Sequence, residues 1–154
     1  MKKSLLPLLL TAGFSTLALG DEAQKAKMME EGKMAYMTCA ACHGMDAAGV
    51  QAGPSKMAPS LIGSKIALGD PSVMALVIIN GIQKEGTEYL GMMAPLGAAL
   101  DDAKLAAVMT YVRGSFGNTA APVTAEDAKK YREQWKTVTG PVSRAKLAEL
   151  TAPK

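Results

Sequence analysis

The side chains best suited to chemistry in this sequence are two cysteines and a histidine that lie within one short segment. They read Cys39-Ala40-Ala41-Cys42-His43, and the chain contains no other cysteine or histidine. Two thiols at this spacing, near a helix end, can reach two vinyl groups on one edge of a porphyrin and form a thioether with each. The adjacent imidazole then lies beneath the iron. Because Cys-x-x-Cys-His is typical of covalent haem attachment, we expect one haem c bound through Cys39 and Cys42, with His43 on the iron.

Three other roles for Cys39 and Cys42 fit the sequence less well. A disulfide would close a very short loop, and the stabilisation that a disulfide provides grows with loop length. A thioredoxin-like redox pair belongs to a βαβ setting, whereas the surrounding pattern is helical. A structural zinc ion takes four ligands, more than two cysteines and one histidine supply. Haem attachment is therefore the favoured interpretation.

A second iron ligand cannot be another histidine of this chain, because His43 is the only one. It must be a methionine, another weak donor, or nothing. Most methionines fall in predicted helices, where they are expected to fill gaps in the core, and Met45 is too close to His43 to reach the opposite haem face. Met92 and Met93 lie in a predicted loop, where a ligand from that face would come. The residues alone leave the choice between these two open.

Helix signals alternate with two long loops along the first part of the chain. Residues 23–40 are rich in good helix formers. Asp70 and Asp101 are typical helix caps, and the helices that they begin are predicted to end at residues 80 and about 116. The loops between them, 44–69 and 83–99, are rich in glycine and proline, and long ordered loops usually wrap a ligand or serve a function. The pattern predicts an all-α fold of three to four helices around one haem.

The N-terminal residues 1–20 are typical of a secretory signal peptide. Lys2 and Lys3 precede an apolar run, and small residues before Asp21 predict cleavage after Gly20. The alternative, an uncleaved membrane anchor, requires about 20 apolar residues, and this run is short. Removal of residues 1–20 leaves 15 basic and 14 acidic residues. This balance excludes the basic surface of a nucleic-acid-binding protein. We expect a periplasmic protein whose mature chain has no transmembrane span.

A helical tail, residues 122–154, follows the predicted haem domain of residues 21–121. Thr124 with Asp127 predicts a capped helix, and Gly140-Pro141 is expected to end it before a last turn capped by Ser143. One apolar stripe at helical spacing needs a surface to cover it: Ala128, Tyr131, Trp135 and Val138. It either packs back onto the haem domain or its own final turn, or it docks a redox partner, since Trp and Tyr are favoured interface anchors.

Several segments together resemble the class I cytochromes c over about residues 28–118. The haem string Cys-Ala-Ala-Cys-His-Gly is the most specific of them. The other resembling positions are Gly32, Tyr36, the loop Met57-Ala58-Pro59-Ser60-Leu61-Ile62-Gly63, the loop Met93-Ala94-Pro95-Leu96-Gly97, and the helix from Leu100 to Arg113. One departure is the spacing Met-Ala-Pro, where the family commonly has Met-Pro.

The resemblance implies roles for two further residues. It favours Met93 over Met92 as the second iron ligand, so that His43 and Met93 would be the metal ligands. It also implies that the backbone carbonyl of Pro59 accepts a hydrogen bond from the second ring nitrogen of His43, which orients the ring.

An iron with both axial positions filled has no open site, which favours outer-sphere transfer of single electrons over an enzyme reaction. A terminal oxidase or a periplasmic dehydrogenase would be the redox partner. The string from Thr110 to Asn118 is similar to haem modules that accompany quinoprotein dehydrogenases, so a haem subunit of such a complex is one alternative. A five-coordinate haem enzyme or gas sensor is another, and it requires that neither Met92 nor Met93 binds iron. A structural or assembly subunit, which exchanges no electrons, is a third.

Overall fold

Helices alternate with loops along residues 16–86 and 88–152, the part of the chain that the computed structural model describes. The helices are α1 (Thr16–His43), α2 (Lys65–Leu68), α3 (Pro71–Asn80), α4 (Asp102–Gly114), α5 (Ala125–Gln134) and α6 (Arg144–Leu150). A hairpin of two short antiparallel strands, β1 (Gln51–Ala52) and β2 (Ser55–Lys56), lies in the loop after α1. The all-α prediction is confirmed for this part of the chain.

Each helix start that the sequence predicted after residue 44 is capped as expected. The Asp70 carboxylate accepts from the first turn of α3, and Asp101 does the same for α4, both at 2.8 Å. Thr124 and Asp127 form a reciprocal capping box at the start of α5. Ser143 caps α6 by accepting from Lys146 N–H at 3.1 Å. Local side-chain hydrogen bonds therefore decide where these helices begin.

Two helices end earlier than the sequence predicted. α4 ends at Gly114, because Phe116 and Gly117 adopt the left-handed φ values of 59° and 80°. α5 ends at Gln134, well before Gly140-Pro141. The β-branched residues 137–139 that follow have low helix propensity. The predicted loop 44–69 also contains the hairpin and the short helix α2.

The crossing of α1 and α4 forms the centre of the fold. Gly32 faces the backbone of Ala107, and a Cβ at position 32 would overlap the Ala107 carbonyl oxygen. Below this contact Tyr36 packs against Tyr111 and Phe116, with ring centroids 5.5 and 5.2 Å away. Aromatic pairs at this separation contribute about 0.5–1.5 kcal/mol beyond the area they bury. The close approach therefore fixes the C-terminal half of α1 against the core.

Buried polar side chains tie loops to the end of α4. Arg113 donates to the carbonyls of Ala67, Gly69 and Ala121, at 2.7, 3.2 and 2.8 Å. Asn118 donates to the carbonyls of Leu61 and Val112 and accepts from Gly63 N–H. Both residues belong to the string that is similar to dehydrogenase haem modules. Their side chains are used within the fold, and the role as a haem subunit of a dehydrogenase stays a hypothesis.

The tail packs onto α3, which confirms the first of its two predicted roles. Trp135 and Val138 contact a buried cluster made of Val73, Leu76, Val77, Val142 and Leu147. The Trp135 indole N–H donates to the Ser72 carbonyl at 2.7 Å. Of the predicted stripe, Ala128 and Tyr131 lie on α5, Trp135 is its C-cap, and Val138 lies beyond its end. The surface that could have docked a partner is therefore largely covered by α3.

Most of the predicted signal peptide, residues 1–15, lies outside the described residues. The backbone of α1 continues through the predicted cleavage position after Gly20, and cleavage there stays a prediction. Among the helices of the described ranges, none has an apolar stretch of the length that crossing a bilayer needs.

Candidate haem site

The two cysteines and the histidine lie in the last turn of α1. Cys39 and Cys42 are one helical turn apart and share a face of the helix, and they form no disulfide. Burial raises the pKa of the Cys39 thiol. Just past the helix end, the hydroxyl of the buried Tyr36 donates to the Gly44 carbonyl at 2.8 Å. This contact holds the end of the helix, and with it His43, against the core.

The loop after α1 returns over the end of that helix. The N–H groups of Gly49 and Val50 donate to the carbonyls of His43 and Cys42 at 2.7 and 3.0 Å. These bonds satisfy helix-terminal carbonyls that have no partner within the helix. The next part of the loop carries Pro59 to the imidazole.

The His43 ring is oriented by a backbone carbonyl. Its Nδ1 lies 2.9 Å from the Pro59 carbonyl oxygen, which is the hydrogen bond that the resemblance implies. A carbonyl can only accept, so Nδ1 must carry the hydrogen, and in the neutral ring Nε2 then keeps its lone pair. Burial lowers the pKa of His43, although the hydrogen bond to Pro59 acts in the opposite direction. The Pro59 carbonyl therefore orients the ring so that Nε2 is the nitrogen left to ligate a metal.

The methionine loop is held to the end of α3 by backbone hydrogen bonds. Ile82 and Met93 exchange N–H···O bonds of 3.0 and 3.1 Å. The Leu96 N–H then donates to the Ile78 carbonyl at 2.9 Å. This pairing requires Gly81, which has a φ of 75° and lies directly against the Met93 backbone. A single glycine thus allows the loop to approach the helix.

Met92 and Met93 differ in their surroundings. Met93 is partly buried and packs against both apolar clusters of the core. Met92 is 54% exposed. Both residues nevertheless line the cavity described next. The greater burial of Met93 supports it as the inner residue of the pair, and its role as an iron ligand stays a prediction.

One cavity brings the predicted site residues together. Cys39, Cys42, His43, Pro59 and Met93 all line it. Its wall is largely apolar and includes Leu61, Ile66, Val77, Ile78, Val108 and Val112. The chain's residues fit a haem, because they combine thiols at one edge, an oriented imidazole, a methionine and an apolar wall. The described residues hold no group of three or more Cys, His, Asp or Glu side chains that would suit a metal ion alone.

Among the lining residues that were not singled out from the sequence are Gln83, Tyr89 and Arg144. Gln83 and Tyr89 lie in the loop 83–99 that was expected to wrap a ligand. Arg144 comes from the tail, and its place at the cavity depends on long-range folding, so no local pattern around it pointed to the site.

A comparison with family models gives the cytochrome c family over residues 29–116. That range is more than half of the chain, and the chain belongs to this family. Comparison with curated proteins gives no match. The all-α fold is thus a cytochrome c fold, and membership makes the chain a haem-binding electron-transfer protein that exchanges electrons with other redox proteins.

Proposed function

We propose that the protein is an exported monohaem cytochrome that carries single electrons between redox partners. The observation that carries the proposal is the convergence of Cys39, Cys42, His43 and Met93 on one cavity. In this proposal Cys39 and Cys42 form the two thioethers, and His43 and Met93 are the two axial ligands.

Each residue has a separate part in this function. The cysteines hold the cofactor on α1, and the Pro59 carbonyl keeps His43 in one tautomer and one orientation. A methionine ligand raises the reduction potential relative to histidine alone. When bound, the haem supplies a one-electron redox centre. With both axial positions filled by protein side chains, no substrate can coordinate, and transfer is outer-sphere.

Electron exchange requires an exposed edge near the cofactor. Cys39 and Cys42 are only partly buried, and large apolar side chains near the site are exposed, among them Met45 and Met92 at 62% and 54%. A terminal oxidase or a periplasmic dehydrogenase would supply or accept the electron. Export is proposed from residues 1–20 and agrees with the typical periplasmic or extracellular location of cytochrome c domains.

The test begins with the intact mass of the protein purified from its native host. The expected mass is that of residues 21–154 plus one haem, and the haem should remain on the chain in a denaturing gel and after extraction with acid acetone. The double variant Cys39→Ala/Cys42→Ala should lose the haem under the same conditions. Haem that washes out of the unaltered protein would overturn the proposal.

The visible spectrum then separates the carrier from its main alternative. A low-spin haem with a methionine–iron charge-transfer band supports the carrier. High-spin haem that binds carbon monoxide rapidly would instead indicate the five-coordinate enzyme or gas sensor.

A further inference from the structure

The tail is bound to the element that precedes the methionine loop. Asn80, the last residue of α3, is buried, and its side-chain amide donates to the carbonyls of Val138 and Gly140 at 2.8 and 3.3 Å. Together with the indole bond of Trp135 to Ser72, this fixes the tail at both ends of α3. The residues after 140 then run beside the next segment of the chain.

The segment around Ile82, which follows α3, is hydrogen-bonded to other segments on both sides. Ile82 forms an antiparallel bridge with Met93 and a parallel bridge with Val142. On the tail side, the Val142 N–H donates to the Gly81 carbonyl at 3.0 Å, and the Gln83 N–H donates to the Val142 carbonyl at 3.1 Å. Only the segment around Ile82 separates the tail from the backbone of Met93. The tail therefore braces the segment that holds the candidate ligand.

Two residues after Val142, the tail places the positive charge of Arg144 at the cavity. The Arg144 guanidinium lies over the Tyr89 ring, 5.3 Å from its centroid, and the Arg144 backbone N–H donates to Glu85 at 2.7 Å. Arg144 and Tyr89 both line the cavity. Among the lining residues that the structure describes, Arg144 is the only Arg, Lys, Asp or Glu.

A haem carries two carboxylates, and a largely apolar cavity strengthens the pairing of a carboxylate with a guanidinium. We propose that residues 142–144 of the tail are part of the haem site, with Arg144 as the partner of a haem carboxylate and the Val142 backbone as the support of the Met93 segment. These residues lie outside the range matched by the family, 29–116. The inference rests on the proposed function for its haem and, in its second part, for ligation by Met93.

The Arg144 part is tested on the full-length holoprotein with Arg144→Gln. Loss of a positive charge near the haem disfavours the reduced state, so the midpoint potential should fall, and the infrared bands of the haem carboxylates should shift between the oxidised and reduced forms differently from wild type. Lys146→Gln is the matched control, because it removes the same charge from the same helix at a residue paired with Glu149. Equal shifts in the two variants, or unchanged carboxylate bands in Arg144→Gln, would overturn this part.

The Val142 part is tested by heating Val142→Pro, which lacks the N–H that donates to Gly81. Its methionine–iron band should disappear at a temperature clearly below global unfolding. Val142→Ala, which keeps the N–H and loses only packing, should lose the band and the fold together. Identical behaviour of the two variants would contradict the proposed support. If Val142→Pro yields no folded holoprotein, the Arg144 measurements decide the proposal.

Failure of the proposed function gives a different result. A wild-type protein without the methionine–iron band would refute ligation by Met93, while the Arg144 measurements, which need only a bound haem, would still apply. A wild-type protein with the band and an unaffected Arg144→Gln variant would refute the Arg144 part of the tail inference and leave the proposed function standing.

Discussion

Gly81 lies so close to Met93 that a Cβ at position 81 would overlap the Met93 carbonyl oxygen. The same residue has a φ of 75°, a left-handed value that L side chains rarely adopt. The turn after α3 and the methionine segment therefore fit together only because residue 81 has no side chain.

Gly81→Ala should destabilise the holoprotein by about 2–4 kcal/mol, combining left-handed strain with overpacking. It should also weaken the methionine–iron band at temperatures where the protein is still folded, since the Met93 segment must shift. Gly53→Ala is the control, with a φ of 62° and open space around its Cβ position. It should cost only about 1–2 kcal/mol and leave the band unchanged. Equal effects of both variants on the band would contradict the role of the close contact.

Met93→Ala should remove the methionine–iron band and lower the reduction potential. Axial ligands span about 0.8 V in haem proteins, and loss of methionine should cost on the order of tenths of a volt. Met92→Ala is the neighbouring control, and redox titration with the visible spectrum checks both. If Met92→Ala alone removes the band, the assignment is one residue off. If neither variant removes it, another methionine ligates the iron; only a wild-type protein that lacks the band favours the five-coordinate interpretation.

Tyr36→Phe should destabilise the fold by about 1–2 kcal/mol, because the Gly44 carbonyl loses its donor. Burial raises the pKa of Tyr36 to about 12, above its ordinary value of about 10. The folded state thus favours the neutral phenol. The stabilisation of the fold by the neutral Tyr36 phenol is complete below about pH 10 and is lost as the pH rises toward about 12.

Urea unfolding at neutral and alkaline pH measures this difference. The difference in the free energy of unfolding between wild type and Tyr36→Phe should be large at pH 7 and small above about pH 10. Tyr111→Phe keeps the ring packing and leaves the bond to Gly44 in place, so its stability should stay close to wild type at pH 7. If this difference in free energy for Tyr36→Phe does not change with pH, the proposed stabilisation by the neutral Tyr36 phenol is wrong.

Asp127→Asn should destabilise the tail helix by about 0.5 kcal/mol at pH 7, since the charged group lies at a helix N-terminus. Hydrogen bonds from the side chain and backbone of Thr124 lower the pKa of Asp127. A lowered folded pKa means that the stabilisation is present above the ordinary carboxyl pKa and is lost as the pH falls through the folded value.

Thermal unfolding, measured between neutral pH and about pH 3, reports the expected loss of the stabilisation by Asp127. The difference between wild type and Asp127→Asn should shrink as the pH falls. Glu133→Gln, at the opposite end of the same helix, is the matched control for the loss of a carboxylate. A constant difference for Asp127→Asn across the range would show that the capping carboxylate does not titrate as proposed.

The features that could be predicted from the sequence are those that depend on neighbouring residues. Asp70, Asp101, Thr124 and Ser143 cap helices through atoms two or three residues away. The string Cys39 to His43 needs only one helical turn to bring its groups together. The end of α5 was misplaced because the expected break at Gly140 is preceded by β-branched residues that already favour extended backbone.

The rest of the site depends on contacts between distant segments. The position of Arg144 at the cavity follows from the pairing of Val142 with Ile82, and no pattern near residue 144 encodes that pairing. The fit of Gly81 against Met93 likewise depends on how a loop returns to a helix. The sequence indicated a turn at Gly81, and only the fold shows what the turn approaches.

The proposed haem anchors and the tail residues Val142 and Arg144 lie far apart in the sequence. Synthesis delivers α1 first, with Cys39, Cys42 and His43 all on that one helix. Arg144 and Val142 arrive near the end. A haem could thus be attached to a chain whose later helices have yet to fold, and the pocket would close only around a complete polypeptide. In this proposal, attachment of the haem and completion of its pocket are separable events, and a chain without the tail would keep its haem while lacking the contacts of Val142 and Arg144.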